Sequence, residues 1–292
     1  MITTLTNGTL TVTVSSKGAE MQSLTANGID YLWNGDPAYW SGRSPVLFPI
    51  VGGLRGGRAT SAAGEVTTPK HGFVRQSELT LVESDDTHAV YRLDASDETH
   101  AVYPYDFSLR VRFELTGEQT VRVTYEVENT GDTVMPFCIG GHPGFRVPLT
   151  GDDCFEDYVL EFEKAETLDC PQVDQVQVLI ENRVRNRVLT ENDTLPLNHV
   201  MFRGDALIFD QLESRVIRLK SGKTGHGVEM DFHSFPFVAV WTTTADSPFV
   251  CLEPWTGMCT RVTEDDVFEH KIGMKELPAG ETATYSYTLT VF

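Results

Sequence analysis

A chain of 292 residues with 40% hydrophobic and 22% charged residues carries enough apolar material for a sizeable core and fits neither a disordered nor a fibrous protein. Its formal net charge of −19 sets the surface against phosphate backbones and anionic lipid, which argues against nucleic-acid and membrane partners. The opening MITTLTNGTL lacks the features of a secretory signal, and no apolar run approaches the roughly 20 residues of a spanning helix. Five widely spaced cysteines without a C-x-x-C point to reduced thiols in the cytoplasm.

Along the chain, period-two alternation dominates. TLTVTVSS, Thr9 to Ser16, alternates Leu10, Val12 and Val14 with threonines, the pattern of a strand with one buried face. DPAYW, Asp36 to Trp40, predicts a turn or two of helix. DFSLRVRFEL sets Phe107, Leu109, Val111 and Phe113 against Ser108, Arg110, Arg112 and Glu114. TVRVTYEVEN repeats the alternation, and Gly117 to Gln119 between the two reads as a hairpin turn. The polar stretch from Cys170 to Leu195 has no regular period and reads as a long excursion. LNHVMF, Leu197 to Phe202, predicts a second short helical turn, and TATYSYTLTVF closes the chain as a strand. Half-buried strands of this kind pair antiparallel. No βαβ rhythm, glycine-rich phosphate loop, internal repeat or linker interrupts them. The expected fold is therefore all-β: one large antiparallel β-sandwich domain over residues 1–292 with few short helices.

Three places carry candidate chemistry. His71 in TPKHGFVR and His142 in IGGHPGFR lie in similar contexts, flanked by glycine or proline and followed by an aromatic residue. Such turns place a histidine at the mouth of a cleft, or simply hydrogen-bond it within the turn. In FVCLEPWTG an apolar run, Phe249 to Leu252, meets Glu253 without a break. A carboxylate there is costly unless paired or used, and desolvation would move its pKa towards that of a working base. A salt-bridged or edge-exposed glutamate is the alternative. Trp255 could stack on a sugar ring or fill the core. His71, His142 and Glu253 could also meet around a metal, but no H-x-x-x-H, H-x-H or C-x-x-C supports one, and no metal is expected. Cys138 stands four residues before His142, roughly 13 Å in an extended strand, too far for thiol activation.

Four stretches, SPVLFPIVG, PKHGFVR, MPFCIGGHPGF and VCLEPWTG, in that order and spacing, resemble the aldose 1-epimerase (galactose mutarotase-like) family, and in particular its LacX-like branch. The resemblance runs from TLTVTVSSKGAEMQSL to LPAGETATYSYTL, essentially the whole chain. It implies a cofactor-free β-sandwich with an open cleft that interconverts the α and β anomers of aldohexoses by ring opening and closure. It implies Glu253 as the base at the anomeric hydroxyl and His142 as the acid at the ring oxygen, with the glycines beside His142 admitting the sugar. It further implies His71 as a hydrogen-bond partner near the same oxygen and Asp205, in RGDALIFDQL, as a ligand of sugar hydroxyls. Gly53 stands where relatives often carry an arginine, which leaves Arg43 and Arg75 as candidate sugar-binding donors and Arg55 as a substitute. Thr260 is a second departure from the family pattern.

Two other readings stay open. One is a hexose-6-phosphate 1-epimerase with Arg43 and Arg75 as the phosphate clamp. The other is a carbohydrate-binding protein without catalysis. The expected partner is a small aldohexose, and the chain is expected to work as a monomer or weak homodimer.

Overall fold

The computed structural model of the protein describes residues 1–174, 179–243 and 246–292. Its strands build three principal sheets, and the ladders between them are antiparallel. The largest sheet has nine strands. In spatial order they are Leu179–Pro196, Tyr158–Asp174, Val216–Ser221, Gly227–Asp231, Thr282–Val291, Thr120–Asn129, Phe107–Leu115, His88–Asp94 and Thr80–Ser84. A second sheet runs Leu207–Phe209, Phe237–Trp241, Phe249–Trp255, Gly140–Gly141 and Val46–Leu47, with Gly144–Arg146 also paired to Phe249–Trp255. Four strands near the N-terminus, Ile2–Thr6, Leu10–Ser15, Glu20–Ala26 and Ile29–Asp30, form the third. One contiguous core draws on all three sheets, with Val12, Leu109 and Val240 among its members. The all-β sandwich expected from the alternation is the observed architecture. Among the described residues no helix is long and apolar enough to cross a membrane.

The pair Phe107–Leu115 and Thr120–Asn129 shows how alternation becomes packing. Register sets Leu109 opposite Val127, Val111 opposite Tyr125 and Phe113 opposite Val123. None of these six is more than 2% exposed. Cross-strand apolar pairs of this kind are the unit of sheet stability. On the other face Arg110 and Arg122 meet Glu126 and Glu114 at 3.9 and 3.8 Å, pairs that solvent largely screens.

One expectation needs correction. The stretch from Cys170 to Leu195 is no irregular excursion. Apart from residues 175–178, which lie outside the described residues, it belongs to the two longest strands, Tyr158–Asp174 and Leu179–Pro196. Their ladder shifts register at four places between Glu161 and Gln172, and each irregularity breaks the period of two by which a strand is recognised. The outer strand is also a sheet edge, where charged residues such as Arg183 and Arg187 replace a second apolar stripe. The turn expected at Asp36 to Trp40 is present, with the Asp36 carbonyl accepting from the amides of Tyr39 and Trp40. The turn expected at Leu197 to Phe202 is present as a 3-10 helix, His199–Phe202, capped by the Asn198 side chain on the Met201 amide.

Candidate active site

The strand Phe249–Trp255 is buried at all seven positions. Alternation puts Cys251, Glu253 and Trp255 on one face. Register sets Glu253 opposite Ala239, whose small side chain leaves the carboxylate room. On the other side of this strand the chain runs antiparallel through Gly140 to Arg146, pairing Gly140 with Trp255 and Gly144 with Cys251. His142 lies between these pairs, alongside Glu253.

The glycines before His142 have a different task from the one expected. A Cβ on Gly140 would come within 2.8 Å of the Pro254 carbonyl and of the Trp255 ring. One on Gly141 would come within 3.0 Å of the hydroxyls of Tyr125 and Tyr287 in the nine-stranded sheet. The missing side chains let the two sheets and the Glu253 strand close up on this segment, and that closeness brings the imidazole to the carboxylate.

His142 Nε2 lies 3.1 Å from Glu253 Oε2. The distance suits a hydrogen bond, but the ring N–H is not aligned with it, and Oε2 has no hydrogen-bond partner. Trp40 stacks on the imidazole at 4.9 Å, and Trp241 and His71 meet it edge-on at 5.5 and 5.7 Å. Burial pushes the Glu253 carboxyl well above the usual carboxylate range, helped by Asp205 and opposed by the charge of Lys70. Burial also pushes His142 down, to about 3, and the charges of Lys70 and Arg75 add to the effect. Both shifts favour the neutral forms, a protonated carboxyl beside a neutral imidazole. Moving that proton across the gap makes a carboxylate and an imidazolium, so the pair is a proton donor and a proton acceptor in one.

His71 sits in a left-handed turn, with φ of 67° followed by 75° at Gly72. The second residue must be glycine, because a Cβ there would lie 1.8 Å from the Phe48 carbonyl oxygen. The His71 amide donates to the Gly52 carbonyl at 2.8 Å, and the Gly52 amide donates back to His71 Nδ1 at 3.2 Å. Burial first, then the charges of His142, Lys70, Arg75 and Lys271, hold this imidazole well below its ordinary pKa. With Nδ1 occupied as an acceptor, the neutral ring carries its proton on Nε2 and is a hydrogen-bond donor there.

A cavity of about 220 Å³ opens over these groups. His71, His142, Glu253, Trp255, Asp205 and Arg75 all line it. Arg75 Nε, His142 Nδ1, Glu253 Oε2 and Trp255 Nε1 are buried without partners, an unusual concentration of unsatisfied polar atoms around one space. Asp205, held at a φ of 83°, accepts from the Ala206 amide through one carboxylate oxygen. Arg43 does not line the cavity; its guanidinium donates to the Gln22 carbonyl at 2.8 Å. Arg55 is spent on Asp266 and on the carbonyls of Arg261, Val262 and Glu264. Gly53 and Thr260, the two departures from the family pattern, touch one another: the Thr260 amide and hydroxyl both donate to the Gly53 carbonyl, at 3.1 and 3.2 Å. The cavity wall also includes Lys70, Trp40, Trp241 and Cys259, which sequence reasoning had not assigned to the site. Lys70 adjoins His71 in the chain and was open to notice; the two tryptophans reach the site only through packing. Of possible metal ligands, His142, Cys251 and Glu253 bring donor atoms within 4.8 Å of one another.

Comparison with known proteins gives the family and the fold. The model of the family "Aldose 1-epimerase" matches residues 1–290. Two LacX proteins of Lactococcus lactis subsp. lactis, plasmid and chromosomal, are each 35% identical over 294 residues, covering 98% of this chain and 98% of theirs. A galactose mutarotase related enzyme from Lactobacillus acidophilus superposes with a TM-score of 0.94 at 28% identity, over 100% of this chain and 97% of its own. A galactose mutarotase-like protein from Lactobacillus casei ATCC 334 does so with 0.92 at 26% identity, over 100% of both chains.

Proposed function

The chain belongs to the aldose 1-epimerase family, and from that premise we propose that it interconverts the α and β anomers of a free aldohexose, with Glu253 and His142 as its acid–base pair. The observation that carries the reading is the buried 3.1 Å approach of His142 to Glu253 on the wall of a small cavity. Ring opening needs a proton removed from the anomeric hydroxyl and one delivered to the ring oxygen. In its carboxylate–imidazolium form the pair does both: Glu253 takes the hydroxyl proton and His142 gives its own. The C1–O5 bond breaks, the open-chain aldehyde turns about C1–C2, and the reverse transfers close the ring on the other face. The pair ends with one proton, as it began, so no cofactor turnover is required. His71 donates from Nε2 beside the same oxygen, Asp205 accepts from sugar hydroxyls, and Trp255 offers its ring to the sugar's apolar face.

Saturation-transfer NMR on α-galactose and α-glucose tests this. The wild type should speed anomer exchange above the spontaneous rate, and Glu253→Gln should return it close to that rate. A wild type without any effect on either sugar defeats the reading. If such a protein still bound sugar, it would be a binding protein on an epimerase scaffold.

A second reading has one observation in its favour. Lys70 and Arg75 put two cationic side chains on the cavity wall of a strongly acidic protein. A sugar 6-phosphate would be served by them, with Lys70 taking the place first given to Arg43. Competition of tens of millimolar inorganic phosphate with sugar would support it; indifference would remove it.

A further inference from the structure

We propose that the acid–base wall of the cavity is also a binding site for one thiophilic divalent cation of the zinc class, held by Cys251, Glu253 and His142, and that this cation switches the enzyme off. The three side chains offer a sulfur, a carboxylate oxygen and an imidazole nitrogen, all within 4.8 Å of one another. All three residues are buried, at 0, 1 and 7% exposure. That donor set suits zinc, which takes thiolate, imidazole and carboxylate in tetrahedral geometry. Metal bonds of about 2.0–2.3 Å ask the widest-spaced donors to close by about an ångström, a shift within the reach of side-chain rotation.

Backbone geometry explains why the three converge. Cys251 and Glu253 are two residues apart on one strand and share a face. His142 arrives on the neighbouring segment, two residues before Gly144, which pairs with Cys251. A Cβ on Gly144 would press to 3.2 Å from the Cys251 sulfur. Glu253 Oε2 is buried without a hydrogen-bond partner, and His142 Nε2 lies 3.1 Å from it. Among the described residues, Lys70, whose charge reaches Glu253 from the cavity wall, forms no ion pair with it. His142 and Glu253 line the cavity, which gives the cation a way in, while Cys251 is no part of its lining.

Cys251 has no part in the acid–base reaction, so the metal adds a function to a residue the reaction does not use. Binding takes the carboxylate oxygen and the imidazole nitrogen away from proton transfer. The binding site stands independently of the epimerase reading; the inhibition rests on it.

Three measurements on the full chain separate these claims. Equilibrium dialysis should find one tight zinc per chain. Cobalt(II) in its place should give the intense near-ultraviolet sulfur-to-metal band of a thiolate ligand, absent in Cys251→Ser and, as a second variant, Cys251→Ala. Zinc affinity should fall at least about 100-fold in these variants, since even outer partners of metal ligands are worth about 10–100-fold. Surface zinc on His88, with Glu83 and Asp85 at 2.8 and 2.9 Å, would show no sulfur band. Anomer exchange in the metal-free variants should match wild type and persist at zinc concentrations that silence the wild type. A wild type without the sulfur band, or variants that bind zinc as tightly, would overturn the site. A wild type that shows the band yet exchanges sugar normally when saturated with zinc would overturn the inhibition. A protein that shows the band but never exchanges any sugar keeps the site and sinks the epimerase reading instead.

Discussion

Two strands of this molecule, Phe107–Leu115 and Phe249–Trp255, follow opposite rules. The first alternates, burying Leu109, Val111 and Phe113, exposing Arg110 and leaving Glu114 half-buried. Its charged groups keep contact with water, its one buried hydroxyl, Ser108, donates to Asp94 at 2.7 Å, and its apolar groups leave water, so each side chain favours the fold. The second is buried from end to end and still contains a carboxylate. Desolvation penalises the charged form of Glu253, and its nearest basic neighbour is a histidine that burial has itself made reluctant to take a proton. The first strand is built for stability; the second gives some up to hold a proton where a ligand can reach it.

The contrast can be tested from both sides. The largest effect is expected in Glu253→Gln, which should lower anomer exchange by about 10²- to 10⁴-fold, the usual worth of a general acid–base group. Its stability should not suffer. Above the ordinary carboxylate value of 4.5, folded Glu253 keeps a proton that the unfolded chain has lost. Stability from this group therefore falls as pH rises, until the folded carboxyl also ionises. Thermal unfolding at several pH values should show the variant gaining on wild type from pH 4.5 upwards. The converse change, Leu109→Ala, should cost about 2–5 kcal/mol in denaturant titrations and leave exchange per folded molecule unaltered.

A smaller effect is expected in the pH profile. His142 is depressed towards about 3, so the acid limb of kcat/KM should lie below the ordinary histidine value of 6.5. Lys70 lowers the pKa of Glu253 and of His142. Lys70→Met should therefore move both limbs to higher pH, and an unmoved profile would mean that its charge does not reach the pair. Smallest of all, Arg110→Ala on the wet face of the first strand should change unfolding free energy by less than about 1 kcal/mol.

Legibility in the sequence followed the same division. Strands that alternate could be read directly, because period two and burial coincide in DFSLRVRFEL and TVRVTYEVEN. Glu253 was legible for the opposite reason, as a charged residue ending an apolar run. The long hairpin of Tyr158–Asp174 and Leu179–Pro196 was not, since its register shifts erase the period. Trp40 and Trp241 were invisible as site residues, because an aromatic box around His142 is made by chain crossings that no local spacing encodes. The reach of arginine was misjudged in one case: Arg43 is close to the site in sequence, but the Gln22 carbonyl holds its side chain away from the cavity.

The bond from the Gly52 amide to His71 Nδ1 has a consequence for ligand design. A main-chain amide cannot be titrated or rotated away, so it leaves the imidazole a single orientation of polarity toward the cavity. Whatever atom of a bound molecule faces Nε2 has to bring a lone pair. An ether or lactam oxygen satisfies that demand. A methylene in the same place leaves the donor unanswered, and the protonated nitrogen of an iminosugar meets hydrogen with hydrogen. Under the proposed reading, carba- and iminosugars should for this reason bind here more weakly than their oxygen-ring parents.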